Sequence, residues 1–380
     1  MQKELINKPG GSEKLAETIN AIVVHSPHSG RSTLLSRALS YIQQAGVHVT
    51  QVMSVAELDG LPPQGTSWRA RGIDIAIAAG GDGLVGGVTT HIAESGLPLG
   101  ILPLGTGNDI ARSLNIPLDL LQAAQVITAG KGIEIDLGVA QPAQQTPHLA
   151  NPNPDGPVLS HVAVQKHGYF AHALIIGLNV QFARLATNVV TRQRYGRLTY
   201  PLAALEVLRN RQSLDVEIHF EELALPLEAN QSTRQSTAEL SKSVGHTSLR
   251  CRALQVAVIN APIFGGAWQL AVPGAQMNDR LLDIVVIEEI EANVFSTQLA
   301  HFFDPQKQFL PWHPNDGEPS IDHDPADLSR IPGIHHLQAR GITIMTGTDP
   351  QDVTLDGEVR GQTPAHVCLA SERLRVMVPR

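Results

Sequence analysis

The sequence predicts an α/β domain built on a Rossmann-like parallel sheet, followed by a β-rich, sandwich-like domain. Three observations predict it. Strands and helices alternate over the first third of the chain, short β-type runs replace that alternation after Lys131, and glycine clusters fall where the early strands end.

The elements follow in order. "AIVVHS" (Ala21 to Ser26) is a continuous apolar run of the kind a fully buried strand shows, and "TLLSRALSYIQQAG" (Thr33 to Gly46) has helical apolar spacing with a glycine stop. "VHVTQV" and "IDIAIAAG" read as strands and "LVGGVTTHIAESG" as a helix. "LPLGILPLG" is a further strand, and "DIARSLNI" a helix ending before Pro117. Strand and helix repeats with short connections imply a parallel sheet covered on both faces, and ligands bind such sheets at the carboxyl ends of the strands. Beyond Lys131, "GIEIDLGVA", "LDVEIHF", "LQVAVINAP", "WQLAVPG", "LLDIVVIE", "GITIMTG" and "AHVCLA" are β-type runs separated by turn residues. The boundary falls near residues 128 to 134, giving domains at 20–130 and 131–380. Surface insertions are expected near 141–160, 223–247 and 304–330, where Pro, Asn, Ser, Thr, Asp and His accumulate.

At 380 residues the chain is long enough for about two domains, each with its own core. Lysine and arginine number 28 against 36 acids, a formal net charge of −8 that argues against general affinity for nucleic acid. Cys251 and Cys368 lie far apart with no CxxC spacing, which fits a reducing compartment and small buried filler. The N-terminal segment has no apolar core region, and no run approaches the ~18 apolar residues that cross a bilayer, so a cytoplasmic protein is expected.

The chemistry is carried by turns. Gly80-Gly81-Asp82-Gly83 joins a strand to a helix, and such a turn exposes consecutive backbone N–H groups beside the positive end of a helix dipole, where phosphate oxygens bind. Alone it is equally a structural turn. A second one, one strand-helix unit later, changes the balance: in "ILPLGTGNDIARSLNIP", Gly105 and Gly107 let the backbone approach a ligand, while Thr106, Asn108 and Asp109 offer a hydroxyl, an amide and a carboxylate. A helix cap by Asn108 or Asp109 is expected alongside. A third turn, "SPHSGRST", places Ser29, Gly30, Arg31 and Ser32 after the first strand, either as a phosphate clamp or as a capped helix start.

These residues carry a resemblance. The first domain resembles the catalytic domain of the diacylglycerol kinase and sphingosine kinase superfamily of lipid kinases, most closely the bacterial diacylglycerol-kinase-like members. "PLGTGNDIARSLNIP", "NAPIFGGAWQLAVPGAQMNDRLLDIVVIE" and "TLDGEVRGQTPAHVCLASERLRVMVP" are similar to its motifs in order and spacing. The chain departs from the family's pattern at Ser26 and at Leu84, Gly86 and Gly87. The resemblance implies transfer of the ATP γ-phosphate to a lipid hydroxyl, chemistry that asks for positioning, charge neutralisation and a group to take a proton.

Carried over by position, Asp82 sits at the triphosphate and its Mg2+, and Gly80, Gly81, Gly83, Gly105, Thr106 and Asn108 line the nucleotide, with Ser29, Gly30 and Arg31 nearby. Asp356 is the implied base toward the lipid hydroxyl and Glu358 a second carboxylate for magnesium. By itself, Asp-Gly-Glu reads as a hairpin turn. Asp82 and Asp356 remain alternatives for proton abstraction. The family's structural magnesium maps near Asp279, beside Arg280, whose like charge opposes a cation there.

Between residues 184 and 211, Arg184, Arg192, Arg194, Arg197, Arg209 and Arg211 face one acid, Glu206, with Tyr195 and Tyr200 interleaved. That concentration reads as a solvated helix face or as a transient membrane contact. "HPNDGEPSIDHD", His313 to Asp324, reads as a polar surface loop. The expected partners are a lipid substrate and a membrane surface, with no nucleic acid; monomer and homodimer stay open. Two other readings stay open: a non-catalytic lipid-binding or regulatory protein, suggested by Leu84, Gly86 and Gly87, and a soluble small-molecule kinase of NAD-kinase type, a family that resembles this chain through its Gly-Gly-Asp-Gly turn and lacks the later motifs.

Overall fold

The computed structural model describes residues 18–27, 31–61, 68–143, 168–177, 213–224, 239–243, 246–264, 270–272, 274–289, 333–347 and 349–380. The strands are β1 (Ile19–His25), β2 (Val47–Ser54), β3 (Ile75–Gly80), β4 (Leu99–Pro103), β5 (Lys131–Ile135), β6 (Gly138–Pro142), β7 (Gly168–Phe170), β8 (Ala173–Gly177), β9 (Leu214–Leu223) and β10 (Glu239–Ser243). They continue as β11 (His246–Ile259), β12 (Ile263–Phe264), β13 (Leu270–Ala271), β14 (Leu282–Glu288), β15 (Ile334–Thr346), β16 (Asp352–Leu355), β17 (Glu358–Gln362), β18 (Ala365–Leu369) and β19 (Leu374–Val378). Five α-helices accompany them among the described residues: α1 (Leu35–Gln44), α2 (Val55–Asp59), α3 (Asp82–Ile92), α4 (Asp109–Ser113) and α5 (Leu120–Ala129).

The predicted fold class holds. A six-stranded sheet runs β2-β1-β3-β4-β19-β5, with β2, β1, β3, β4 and β19 parallel and β5 antiparallel at the edge. Every residue of β3 is buried, because β1 and β4 flank it and helices cover both faces, which is why its sequence is apolar without alternation. Helix α1 buries Ala38 and Ile42, one turn apart, and leaves its polar face to solvent. Helix α2 is nucleated by a capping box, with Ser54 and Glu57 bonding each other's backbone N–H, and Asp119 caps α5 through the N–H groups of Leu121 and Gln122.

The second sheet is antiparallel, running β17-β16-β8-β11-β14-β15-β18-β6-β7 with β9 and β10 paired beside β11. Alternation along β9 puts Leu214, Val216, Ile218 and Phe220 into a core shared with Leu249, Val256, Ile284, Ile342 and Val367. Three stretches differ from expectation. Residues 223–247 are not wholly a surface insertion, because Glu239–Ser243 forms β10 against β11; hydroxyl-rich residues there occupy a ladder rather than a loop. The runs Lys131–Ile135 and Leu374–Val378, which the sequence assigns to the second domain, both lie in the first sheet, as β5 and β19. The chain therefore leaves the parallel sheet after β5 and returns at its end to fill the gap between β4 and β5. Residues 304–330 and most of 141–160 lie outside the described residues.

Candidate active site

β1, β3 and β4 are neighbours and parallel, so the turns that follow them emerge at one edge. The N–H of Arg31 donates to the carbonyl of Leu104 at 3.2 Å, and that of Leu104 donates to the carbonyl of Gly80 at 3.0 Å. These bonds bring the three sequence-predicted turns together. Ser29 and Gly30 lie outside the described residues.

Gly81 and Gly105 face each other. A Cβ on Gly105 would lie 2.3 Å from the Gly81 Cα, and one on Gly81 would lie 3.0 Å from the Gly105 Cα, so the contact between the turns admits only glycine. Gly80 is closed from above by Leu84, whose Cδ2 would stand 2.4 Å from an added Cβ. Gly81 is the N-cap of α3 and has no side chain to cap it, which leaves the N–H groups at that helix end to a ligand.

Asp82 is the first residue of α3 and half-buried. Its Oδ1 accepts the N–H of Ile110 at 2.9 Å, so it also fastens the start of α4. Asn108 braces its own turn. It is buried, adopts φ 55°, and commits its amide to Gly105, accepting the Gly105 N–H at 2.9 Å and donating to the Gly105 carbonyl at 2.9 Å. It shapes the turn whose exposed tip is Thr106.

The Asp-Gly-Glu segment is a hairpin turn and a site component at once. Asp356 and Gly357 connect β16 to β17 with φ 49° and 89°, the positive values a type I′ turn demands of both central residues. The hairpin tip packs on the first turn of α3. A Cβ on Gly83 would stand 3.2 Å from Glu358 Oε1, and one on Gly86 would stand 2.3 Å from Asp356 Oδ2. Three carboxylates thus gather around the positive end of one helix. Gly86, a departure from the family's pattern, leaves room for Asp356; Leu84 covers Gly80. Gly87 meets only Val55, at ordinary contact distance.

Asp356 is buried, and its Oδ1 accepts the N–H groups of His172 at 2.9 Å and Ala173 at 3.0 Å, while Oδ2 accepts that of Ala171 at 3.0 Å. Burial pushes its carboxyl up to about 6, against the downward pull of His172 and of these three donors. Glu358 is half-exposed and pairs with Arg360 at 2.5 Å. The segment 171–173 and His172 carried no sequence motif; only the folded hairpin reveals them.

Beside Asp279 lies a buried carboxylate held by arginine. Asp136, fully buried, accepts Arg373 Nε at 2.8 Å and Arg280 Nη1 at 3.3 Å on Oδ1, and the Arg280 N–H at 2.7 Å on Oδ2. Arg280 also donates to the Ala370 carbonyl at 3.2 Å, and Arg373 to the Asn278 carbonyl at 2.9 Å. Both oxygens of Asp136 are therefore engaged by arginine, Oδ1 by two guanidinium groups and Oδ2 by the Arg280 backbone N–H, which opposes a divalent ion on this carboxylate. Asp279 bonds the Leu281 N–H at 3.0 Å instead, and burial with the neighbouring charges of Asp283 and Asp136 raises its carboxyl to about 6. Among the described residues no cluster of three or more His, Cys, Asp or Glu is arranged to hold a metal. Asp82 and Glu358 are the carboxylates that would hold a magnesium ion carried on phosphates, since that ion keeps waters and takes one or two carboxylates.

The arginine-rich stretch 184–211 and the loop His313 to Asp324 lie outside the described residues. Among the described residues no helix is long and apolar enough to cross a membrane.

Comparison with known proteins agrees with this architecture. Residues 20–140 match the diacylglycerol kinase catalytic domain, and residues 173–307 match the YegS C-terminal NAD kinase beta sandwich-like domain. Similar curated proteins include the diacylglycerol kinase of Staphylococcus saprophyticus, 21% identical over 364 residues, covering 94% of this chain and 95% of that protein. Another is the diacylglycerol kinase of Staphylococcus epidermidis, 22% identical over 365 residues, covering 95% and 92%. The crystal structure of a diacylglycerol kinase from Bacillus anthracis is similar in fold, with a TM-score of 0.57 at 19% identity, covering 96% of this chain and 98% of that one. With both domain matches in tandem, full-length relatives and the same two-sheet architecture, the chain belongs to the diacylglycerol kinase/YegS-like superfamily.

Proposed function

We propose that this protein is an ATP-dependent lipid kinase that transfers the γ-phosphate to a hydroxyl of a diacylglycerol-like or sphingoid-like lipid. The observation that carries the reading is the convergence of Asp82, Asp356 and Glu358 on the uncapped start of α3, directly beside the paired Gly81 and Gly105 turns. The backbone N–H groups bind phosphate, and the carboxylates Asp82 and Glu358 receive the magnesium that accompanies the nucleotide. Asp356 takes the proton of the acceptor hydroxyl. Three of its roughly four lone-pair sites are filled by N–H donors, which leaves one for a substrate and fixes its direction. A carboxyl near 6 is ionised at neutral pH yet basic enough to accept a proton in the transition state. The arginine-rich stretch 184–211 supplies charge for reversible contact with an anionic membrane, where the acceptor resides.

The test is phosphorylation of a lipid panel with labelled ATP. Turnover is expected, lowered by roughly 10²- to 10⁴-fold in Asp82→Ala and Asp356→Ala. Activity falls as pH drops through about 6, because the base must be ionised, and Asp356→Asn abolishes that limb. Nucleotide binding without turnover on any lipid would overturn the reading. A labelled product partitioning into water would favour a soluble acceptor, the alternative raised by the second domain's likeness to a NAD kinase beta sandwich.

A further inference from the structure

His172 lies on the bend between β7 and β8, is 8% exposed, and is held from three directions. Its carbonyl accepts the N–H of Asn260 at 2.8 Å and of Ala261 at 3.1 Å. Its own N–H donates to Asp356 Oδ1. Its ring Nε2 stands 3.0 Å from the carbonyl of Ile263. A carbonyl can only accept, so Nε2 carries the proton and the tautomer is fixed by the fold. Ile263 is fixed in turn, its N–H donating to Ser113 Oγ at 3.0 Å, and Ser113 is fully buried on α4. Helix α4 begins at the second glycine turn and is fastened by Asp82 through Ile110.

The side chain of His172 therefore completes a chain. Starting from Asp82 it passes through α4, Ser113 and Ile263 to the imidazole, and from the His172 backbone to Asp356. Two of the three carboxylates of the proposed reaction, Asp82 and Asp356, are the ends of this one chain of bonds, although no secondary-structure element contains both.

We propose that His172 is a positioning residue, whose ring bond to the Ile263 carbonyl sets the Ala171–Ala173 donors, and through them Asp356, in register with the phosphate-binding turns. It touches neither nucleotide nor acceptor; it decides where the proton-accepting oxygen points. This rests on the kinase reading above, and its tests separate the two.

His172→Phe keeps the ring shape and removes the donor, leaving the Ile263 carbonyl buried and unpaired. His172→Gln returns an N–H at nearly the Nε2 position. For the phenylalanine variant the expected result is a kcat lower by roughly 10- to 100-fold, as small misplacements of reacting groups produce, with the KM for ATP unchanged. The glutamine variant recovers most of that loss. Amide hydrogen exchange over residues 170–177 and 353–357 gives a readout independent of turnover: faster exchange is expected in His172→Phe and near wild-type exchange in His172→Gln, both in variants whose melting shows a folded chain. Unchanged exchange in His172→Phe, or equal losses of kcat in both variants, would overturn the proposal. A wild-type protein without activity on any lipid would sink the kinase reading, while the exchange experiment still decides whether His172 holds the Asp356 donors.

Discussion

Asp356 shows how one residue's position can oppose stability and serve chemistry. A free aspartate ionises near 3.8, whereas burial holds this one near 6, so between those values the folded chain binds a proton the unfolded chain has released. Its contribution favours folding at acid pH and is lost as pH rises through about 6, which is where the proposed base becomes competent. Three backbone donors limit that cost. Gly86 bears on the same residue. Glycine inside a helix is less favourable than alanine by about 0.8–1.0 kcal/mol, so its presence in α3 needs a reason, and Asp356 Oδ2 at 2.3 Å from a would-be Cβ supplies one. In Gly86→Ala the helix gains propensity but the carboxylate must leave its donors. The expected result is loss of lipid phosphorylation by roughly tenfold or more together with a lower midpoint of urea unfolding, since freed buried donors cost about 1–3 kcal/mol each. A Gly86→Ala enzyme with wild-type turnover would show that Asp356 is not held by this packing.

At the scale of elements, the turns were legible where their logic is local. Gly80-Gly81-Asp82-Gly83 and Gly105 to Asn108 announce themselves because a glycine that must touch another backbone leaves its mark in the chain, and Asp-Gly between two β-type runs announces a hairpin. The use of each side chain was less legible. Asn108 and Thr106 look like equal candidates for a ligand, yet one is turned inward to its own loop and the other outward; the difference lies in the positive φ of Asn108, which sequence alone does not state. The sheet that strand β19 joins is hidden for a similar reason: "LRVMV" alternates as any half-buried strand does, and whether it enters a parallel or an antiparallel sheet depends on partners far away, Leu99 and Ile135. The pairing of His172 with Asp356, 184 residues apart, leaves no local trace. Asn108 offers a direct check. Asn108→Ala removes both bonds to Gly105 and leaves an alanine at φ 55°, so stability should fall by roughly 1–3 kcal/mol. Affinity for an ATP analogue, followed by calorimetry, should drop with it; unchanged affinity would separate the turn's shape from nucleotide binding.

Across the whole molecule, the two sheets are joined by a few apolar residues that the later part of the chain lends to the first core and by one buried charge. The core of the parallel sheet takes in Ala171, Ala261, Met277 and Ala370 from the other half of the chain. Among these lies Asp136, in the link between β5 and β6, which receives Arg280 from the segment before β14 and Arg373 from the segment before β19. The joint reaches the proposed site, because Asn260 donates from one amide nitrogen to the Asp136 carbonyl at 2.9 Å and the Ala171 carbonyl at 2.8 Å, and Ala171 is a donor to Asp356. A divalent ion in this place would have to displace two guanidinium groups from a carboxylate and two carbonyls, so the resting fold should be indifferent to metal. The thermal midpoint of the nucleotide-free protein is expected to stay put when EDTA or millimolar Mg2+ is added. Arg373→Ala should lower stability by roughly 1–3 kcal/mol, less than the ~3–5 for a fully buried pair, because both guanidinium groups keep about a third of their surface in water. In the Arg280→Ala/Arg373→Ala double variant, Asp136 and the carbonyls of Asn278 and Ala370 lose their guanidinium donors, and Mg2+ should then restore part of the loss. A wild-type midpoint that climbs with Mg2+ and falls with EDTA would mean that a metal, rather than the arginine pair, neutralises Asp136.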